Sequence, residues 1–251
     1  MRYLLSRASR PILTQLSLER ALCAFDFDGT LAPIAERPDQ AVMRGRTRRL
    51  LARLAAIYPC IVLSGRARAD VLSKLGGVRV ERVIGNHGAE GVGTRLRTRR
   101  RIEGWKRALA PLIASLPELW VEDKGLSLAI HYRQSPRKPA ARRRILDACR
   151  KLEGVHVLGG KQVVNLVVSG SRDKGGALAY ERDRLRCNWV LFVGDDENDE
   201  GAFALAGNTV AVRVGRKLHS RAAYFLRSQA EIDELLALLV SRRAKVSGTT
   251  V

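Results

Sequence analysis

Short apolar runs alternate with helical patterns through the first ninety residues of the chain. Leu50, Leu51 and Leu54 recur at helical spacing, whereas other apolar runs are continuous and end at polar, glycine-containing tripeptides. The pattern predicts strands over residues 21–27, 60–63 and 82–84, and helices over residues 46–56 and 69–75. This alternation favours a parallel sheet with helical crossovers, in which ligands bind beyond the carboxyl ends of the strands.

The pattern changes near residue 97 to helix, strand, strand, repeated once. It predicts helices over residues 102–115 and 140–152, and strands over residues 119–122, 126–132, 155–158 and 162–168. Two helices with four short strands indicate a small antiparallel sheet covered on one face. We interpret this segment as an inserted α+β cap domain.

The parallel pattern then resumes. It predicts helices over residues 174–185 and 232–240, and strands over residues 189–193 and 210–214. The predicted fold is therefore α/β, a Rossmann-like parallel-sheet core interrupted by the cap. We assign residues 1–96 and 171–251 to the core and residues 97–170 to the cap, with hinges over residues 91–99 and 169–173.

Composition narrows the class of protein. The chain has 251 residues and 46% hydrophobic content, which suits a globular protein with a real core. No apolar run is long enough to span a bilayer, and arginines interrupt the first twenty residues, so we expect no signal peptide. The cysteines are Cys23, Cys60, Cys149 and Cys187. Their scattered spacing predicts reduced thiols in a cytoplasmic protein.

The formal net charge of +20 favours anionic ligands. One interpretation is a nucleic-acid-binding protein. However, the excess charge is spread along the chain, without interleaved aromatic residues or a recognition element. The simpler interpretation is that arginine greatly outnumbers lysine throughout the chain, and we expect no nucleic-acid or membrane partner.

Pairs of carboxylates follow two of the predicted strands. Asp26 and Asp28 come at the end of the first strand, and Asp195 and Asp196 follow the strand over residues 189–193. A single pair is usually a turn or a helix cap. Two pairs at one edge of a parallel sheet can instead bind Mg2+ through a few carboxylate oxygens.

These residues fall in the order found in haloacid dehalogenase-like phosphatases. The matching motifs are Asp26-x-Asp28-Gly29-Thr30-Leu31, Ser64, Lys174, and Gly194-Asp195-Asp196-x-x-Asp199. The chain resembles that superfamily in all of its motifs. The resemblance implies that Asp26 attacks phosphorus and that Asp28 acts first as general acid and then as general base.

The same resemblance implies a magnesium site and a phosphate site. The implied Mg2+ ligands are the Asp26 side chain, the Asp28 backbone carbonyl and Asp195, supported by Asp196 or Asp199. Ser64 and Lys174 would bind the phosphate oxygens, since phosphoryl transfer depends on cations and donors placed around them.

Three further segments, residues 64–66, 85–90 and 122–133, resemble those of trehalose-phosphatases. The resemblance implies substrate-binding residues in the core and in the cap, namely Arg66, Asn86, His87, Glu90, Glu122, Lys124, His131 and Arg133. Strand alternation places Glu122 and Lys124 on one face of the predicted cap sheet, and likewise His131 and Arg133. The core would hold the phosphate, while the cap would recognise the sugar.

One position departs from the family pattern. Asn165 stands on the last cap strand where trehalose-phosphatases usually carry a glutamate, and an amide offers a different set of donors and acceptors. The predicted function is hydrolysis of trehalose 6-phosphate, a phosphorylated disaccharide, with Asn165 among the substrate-binding residues. Another phosphosugar, such as glucosyl- or mannosyl-3-phosphoglycerate, is the alternative, and a nucleic-acid-binding protein with a residual phosphatase core is the alternative from another class.

Overall fold

The computed structural model describes residues 1–90 and 95–247, which form two sheets. The strands of the larger sheet are β1 (Arg2–Tyr3), β2 (Ala21–Phe25), β3 (Cys60–Leu63), β4 (Arg82–Ile84), β9 (Trp189–Gly194), β10 (Thr209–Val214) and β11 (Tyr224–Leu226). The strands of the smaller sheet are β5 (Trp120–Asp123), β6 (Ser127–His131), β7 (Val155–Gly160) and β8 (Val163–Val168). The segments predicted as strands all form strands, with ends that shift by a few residues.

Eight α-helices lie within the described residues. They are α1 (Arg10–Leu18), α2 (Gly45–Ala55), α3 (Arg68–Lys74), α4 (Arg95–Ala114), α5 (Lys138–Cys149), α6 (Lys174–Arg184), α7 (Glu200–Phe203) and α8 (Ile232–Ser247). The helix predicted from residue 102 begins at Arg95, because a run of arginines at its start hides the apolar periodicity.

The larger sheet is parallel, with the order β1-β11-β10-β9-β2-β3-β4. One apolar cluster on it includes residues of α1, α2, α3 and α8, and a second includes residues of α6 and α7. Parallel sheets are stable when both faces are covered, which explains why all five residues of β2 are buried. The two central strands, β2 and β9, therefore hold the residues that follow them on a rigid support.

The smaller sheet is antiparallel, with the order β5-β6-β8-β7. Leu128, Ile130 and Leu166 point from one face into an apolar cluster with α4 and α5. Alternation along the strands sends Glu122, His131 and Asn165 to the opposite face. We call this sheet, with α4 and α5, the cap. The predicted fold class is confirmed.

Elements near the two ends of the chain were not predicted. β1 pairs with β11 at the edge of the larger sheet, and α1 buries Leu13 and Leu16 in the core. The domain boundaries and the second hinge stay predictions. The first predicted hinge lies partly outside the described residues, since residues 91–94 are not among them.

Cys23, Cys60, Cys149 and Cys187 are free and buried, which agrees with the predicted thiols. No helix in the described part of the chain has the length and apolar character that crossing a membrane requires.

Candidate active site

The polar residues predicted for catalysis gather at the carboxyl ends of the central strands. Asp26 follows β2, Ser64 follows β3, His87 follows β4, and Asp195 follows β9. Asp26 is fixed from its backbone, whose N–H donates to the carbonyl of Val193 at 2.8 Å. Neighbouring parallel strands thus bring residues that are far apart in sequence to one edge of the sheet.

Lys174, at the start of α6, is the buried cation of this edge. Its ammonium donates to Asp26 Oδ1 and to Asp199 Oδ1, each at 2.6 Å. Only 1% of the Lys174 surface is exposed. Burial alone would lower the pKa of Lys174, but the two carboxylates outweigh it and raise that pKa. Lys174 is therefore a fixed positive charge.

Three carboxylates form a cluster beside this lysine. Asp26, Asp195 and Asp199 are buried, and one oxygen of each lies within 4.8 Å of the others. Burial raises the pKa of Asp26 well above its ordinary value, although Lys174 opposes the shift. Gly29, with φ of +80°, leaves room for the Asp195 carboxylate. A Cβ at this position would lie 2.2 Å from Asp195 Oδ2.

Asp199 and Arg213 hold the loop after β9 in place. Asp199 Oδ2 accepts hydrogen bonds from the backbone N–H groups of Asp195 and Asp196, at 2.9 and 3.0 Å. Arg213 donates to the carbonyl of Asp195 at 2.6 Å and to that of Asp196 at 3.1 Å. The Asp196 side chain caps a short helical turn by accepting from the N–H of Glu197. Hydrogen bonds to its backbone N–H groups and to its backbone carbonyls therefore fix the conformation of this loop.

A lysine of the cap reaches the same carboxylates. Lys161, in the turn between β7 and β8, donates to Asp195 Oδ2, and its side chain is 50% exposed. Burial raises the pKa of Asp195 to about 6, although Lys161 opposes this shift. The cap thus contributes a cation beside a buried carboxylate of the core.

Asp28 is turned away from the three carboxylates. Both of its oxygens accept hydrogen bonds from Arg66, at 2.6 and 2.7 Å. Arg66 also donates to Asp70 at 2.6 Å. Such a bidentate ion pair fixes the orientation of both side chains.

The turn after β4 has an unusual backbone. Asn86 and His87 both adopt the left-handed region, with φ of 51° and 58°. The N–H of His87 donates to the carbonyl of Ser64, while Ser64 Oγ accepts from the N–H of Arg66. Gly65 permits the close approach of the His87 ring, which a Cβ there would meet at 2.5 Å. A strained turn held this firmly is typical of functional sites.

His87 is buried, and its ring nitrogens have no well-formed hydrogen bond among the described residues. Burial lowers its pKa well below the ordinary value, and the charges of Lys124 and Lys174 lower it further. The Asn165 side chain acts weakly in the opposite direction. The imidazole is therefore neutral, and the residue is among those that line a cavity.

We expect His87 to make the folded protein sensitive to acid. Because its pKa is lower in the folded state, only the unfolded state takes up this proton as the pH falls below about 6.5, which costs up to about 1.4 kcal/mol of stability per pH unit. His87→Gln should flatten this dependence in urea unfolding between pH 7.5 and 5.5. The exposed His219→Gln should retain it. An equal slope in both variants would contradict the prediction.

The open face of the cap carries a charged network. His131 Nε2 lies 3.0 Å from Glu122 Oε2, and the Lys124 ammonium lies 3.7 Å from the same oxygen. Burial opposes ionisation of Glu122, but His131 and Lys124 outweigh it and lower the pKa of this carboxyl. The Glu122 carboxylate is therefore a charged acceptor held in place.

Hydrogen bonds join the cap to the core at several points. Lys124 donates to the carbonyl of Gly65 at 3.0 Å, and Ser127 donates to Asn86 Oδ1 at 2.6 Å. Arg133 donates to the carbonyl of Glu36 at 3.1 Å. The charged face of the cap consequently lies against the edge of the core where the predicted catalytic residues gather.

A cavity of about 820 Å³ lies between them. The core lines it with Asp26, Asp28, Arg66 and His87, and the cap with Glu122, Lys124, His131, Arg133 and Asn165. The volume suits a small organic ligand. Asp195 and Asp196 also line it, whereas Ser64, Asn86, Lys174 and Asp199 support its lining residues from behind.

Glu90 is placed differently from the other predicted residues. Its side chain accepts from the N–H of Arg68 at 2.6 Å, at the first residue of α3, and it does not line the cavity. Sequence reasoning missed Lys161, Trp120 and Arg213. Lys161 sits beside glycines in a hairpin turn, a signal that could have drawn attention to it. The other two carry no local signal.

A parallel sheet interrupted by an antiparallel cap, with carboxylates and a buried lysine at the strand ends, defines the haloacid dehalogenase-like class. The family model for trehalose-phosphatase matches residues 24–230. This chain belongs to the trehalose-phosphatase family, as its motifs predicted.

Curated relatives support this assignment. The trehalose-phosphate phosphatase of Mycobacterium ulcerans is 31% identical over 247 residues, which cover 90% of this chain and 63% of the relative. That of Mycobacterium tuberculosis (H37Rv) is 34% identical over 200 residues, which cover 73% of this chain and 50% of the relative. The chain thus spans between half and two thirds of the length of these relatives.

Solved structures share the fold. The C-terminal domain of the C. albicans trehalose-6-phosphate phosphatase superposes with a TM-score of 0.78 at 22% identity, covering 92% of this chain and 96% of that one. A trehalose-6-phosphate phosphatase related protein gives a TM-score of 0.72 at 23% identity, covering 91% of this chain and all of that one. At these identities the likeness establishes the architecture, including the cap.

Proposed function

We propose that this protein hydrolyses trehalose 6-phosphate to trehalose and phosphate through a phospho-aspartyl intermediate on Asp26. The observation that carries the proposal is the position of Asp26. This carboxylate accepts a hydrogen bond from buried Lys174 and lines the same cavity as the charged face of the cap. Family membership and the names of the curated relatives support the substrate. The chemistry follows from the residues at the cavity floor.

Lys174 orients the nucleophile. It donates to Asp26 Oδ1, which leaves Oδ2 as the attacking atom. Attack forms a bond from Oδ2 to phosphorus and breaks the bond from phosphorus to the sugar oxygen, which takes a proton from the Asp28 carboxyl group. Water then attacks phosphorus, returns a proton to Asp28 and frees Asp26. Two displacements replace one difficult hydrolysis.

The acid role requires a change at Asp28. Both of its oxygens accept hydrogen bonds from Arg66, so neither is free to act on the leaving group. We infer that the substrate attracts Arg66 through its phosphate charge and lets Asp28 turn toward the leaving oxygen. Asp70, which also accepts from Arg66, limits how far the guanidinium moves.

The carboxylate cluster fits Mg2+. Asp26, Asp195 and Asp199 offer buried, convergent oxygens, which are the ligands that this hard cation prefers. We propose Asp26 and Asp195 as side-chain ligands and the Asp28 carbonyl as a third, with Asp199 and Asp196 shaping the loop. The bound cation would supply positive charge to the phosphate oxygens.

The cap face suits a disaccharide. Glu122 offers acceptors, Lys124 and Arg133 offer donors, and Asn165 offers both. We propose that these side chains, with His87 from the core, bind the sugar hydroxyl groups. Burial lowers the pKa of Lys124, while Glu122 opposes this shift and holds its charge beside the cavity.

Phosphate release tests the proposal. The purified protein should release phosphate from trehalose 6-phosphate with Mg2+, and EDTA should abolish release until Mg2+ is restored. A panel with glucosyl-3-phosphoglycerate, mannosyl-3-phosphoglycerate and glucose 6-phosphate, compared by kcat/KM, should favour trehalose 6-phosphate by at least about tenfold, or about 1.4 kcal/mol. A clear preference for a phosphoglycerate would retain the chemistry and replace the substrate.

A further inference from the structure

Trp120 is an exposed aromatic residue inside the active-site cavity. It begins β5, lines the cavity, and is 50% exposed. An indole this open contributes little to the apolar core of the cap, which lies on the opposite face of the sheet. Its exposure inside a cavity therefore needs another explanation.

The indole is held in a fixed orientation. Trp120 pairs with His131 in the sheet, and their rings stack with centroids 4.5 Å apart and an interplanar angle of 29°. His131 is held in turn by Glu122 at 3.0 Å. The imidazole covers one face of the indole. The indole is therefore a preorganised apolar surface beside a polar network.

The position along the strand separates Trp120 from the phosphate site. Lys124, four residues further on, contacts the carbonyl of Gly65 next to Ser64. At the rise of an extended strand, four residues span about 13 Å. This exceeds one sugar ring and approaches the length of a disaccharide. Pro117 and Leu119, just before the indole, also line the cavity and make this end more apolar.

We propose that Trp120 is a stacking platform for the sugar ring that does not carry the phosphate. A pyranose presents C–H groups on its ring face and hydroxyl groups at its edge. The C–H groups suit the electron-rich face of an indole, while Glu122 and Arg133 are placed to bind the edge. This inference rests on the proposed phosphatase function and adds a specificity residue that distinguishes disaccharides from monosaccharides.

Substitution of the indole tests the platform. Trp120→Leu should raise KM for trehalose 6-phosphate about three- to tenfold and leave kcat unchanged. Trp120→Phe should restore most of the affinity. Both variants should leave glucose 6-phosphate unaffected, by kcat/KM or by its inhibition constant. Tyr180→Leu, at an exposed aromatic residue that does not line the cavity, is the matched control and should behave as wild type.

Fluorescence gives a readout that does not depend on turnover. Titration with free trehalose should change tryptophan emission of the wild type in a saturable way. Trp120→Leu should lose the change, because Trp105 is buried in the cap and Trp189, at the start of β9, does not line the cavity. If no phosphosugar is hydrolysed, the proposed function fails, while a saturable signal still supports the platform. An absent signal, unchanged KM, or an equal loss for glucose 6-phosphate would overturn it.

Discussion

Asp26→Asn should reduce kcat for phosphate release by more than about a thousandfold without unfolding the protein. The amide has nearly the shape of the carboxylate but is a poor nucleophile toward phosphorus. Lys174 keeps its second partner, since Asp199 accepts from it at 2.6 Å. Initial rates with excess Mg2+, together with thermal melting, would measure both parts of the expectation.

The matched control for this variant is Asp39→Asn. Asp39 also lines the cavity, but it is exposed and pairs with Arg37 at 3.2 Å near the rim. Its loss should leave kcat within about twofold, since exposed ion pairs contribute little. Turnover by Asp26→Asn above about one per cent of wild type would remove Asp26 from the role of nucleophile.

Lys174→Met should destabilise the fold by about 3–5 kcal/mol, because it leaves buried carboxylates without their shared cation. Both contacts of Lys174 are 2.6 Å long, and its side chain is 1% exposed. Urea unfolding at pH 8 in the presence of EDTA would measure the loss. Activity should disappear as well, since Asp26 loses the group that orients it.

The loss should shrink as the pH falls. The pKa of Asp26 is already raised by burial in the wild type, and removal of Lys174 raises it further. A folded state that holds the proton more tightly than the unfolded state gains stability as the pH falls through the raised pKa. Unfolding at pH 5 should therefore show a smaller deficit than at pH 8.

Lys161→Met is the control for this substitution. It removes a lysine from the same carboxylate cluster, but one whose side chain is 50% exposed, so a loss of about 1 kcal/mol or less is expected. If the two substitutions lowered the free energy of unfolding equally, burial would not explain how much the Lys174 contacts stabilise the fold.

Most of the core could be predicted because its strands are continuous apolar runs. β3 and β4 coincide with the predicted segments, since each run ends at glycine-containing polar residues. β1 was missed because it is only two residues long, and α1 because Arg10 and Pro11 precede its buried positions Leu13 and Leu16. β11 is three residues long, too short for any periodicity. These segments form strands or a helix because they pair with or pack against the rest of the core.

The catalytic edge could be predicted because its residues follow strands directly. Asp26 and Asp195 occupy the expected positions, and Lys174 contacts Asp26 directly. The Asp28 pair with Arg66 could not be predicted, because it joins residues 38 positions apart through side-chain orientation. Asn165, the departure from the family pattern, is buried next to the cavity, so its effect on sugar preference stays a prediction.

The order of strands in the larger sheet also affects how the chain acquires its structure. β2, which positions Asp26, pairs with β3 on one side and with β9 on the other, and the whole cap lies between these two neighbours in sequence. The cap strands pair with one another and can form early from nearby residues. During synthesis, β2 lacks one of its two neighbouring strands until β9 has emerged. The proposed active site is therefore among the last parts of the molecule to form, and the unpaired edge of β2 is open to aggregation in the meantime.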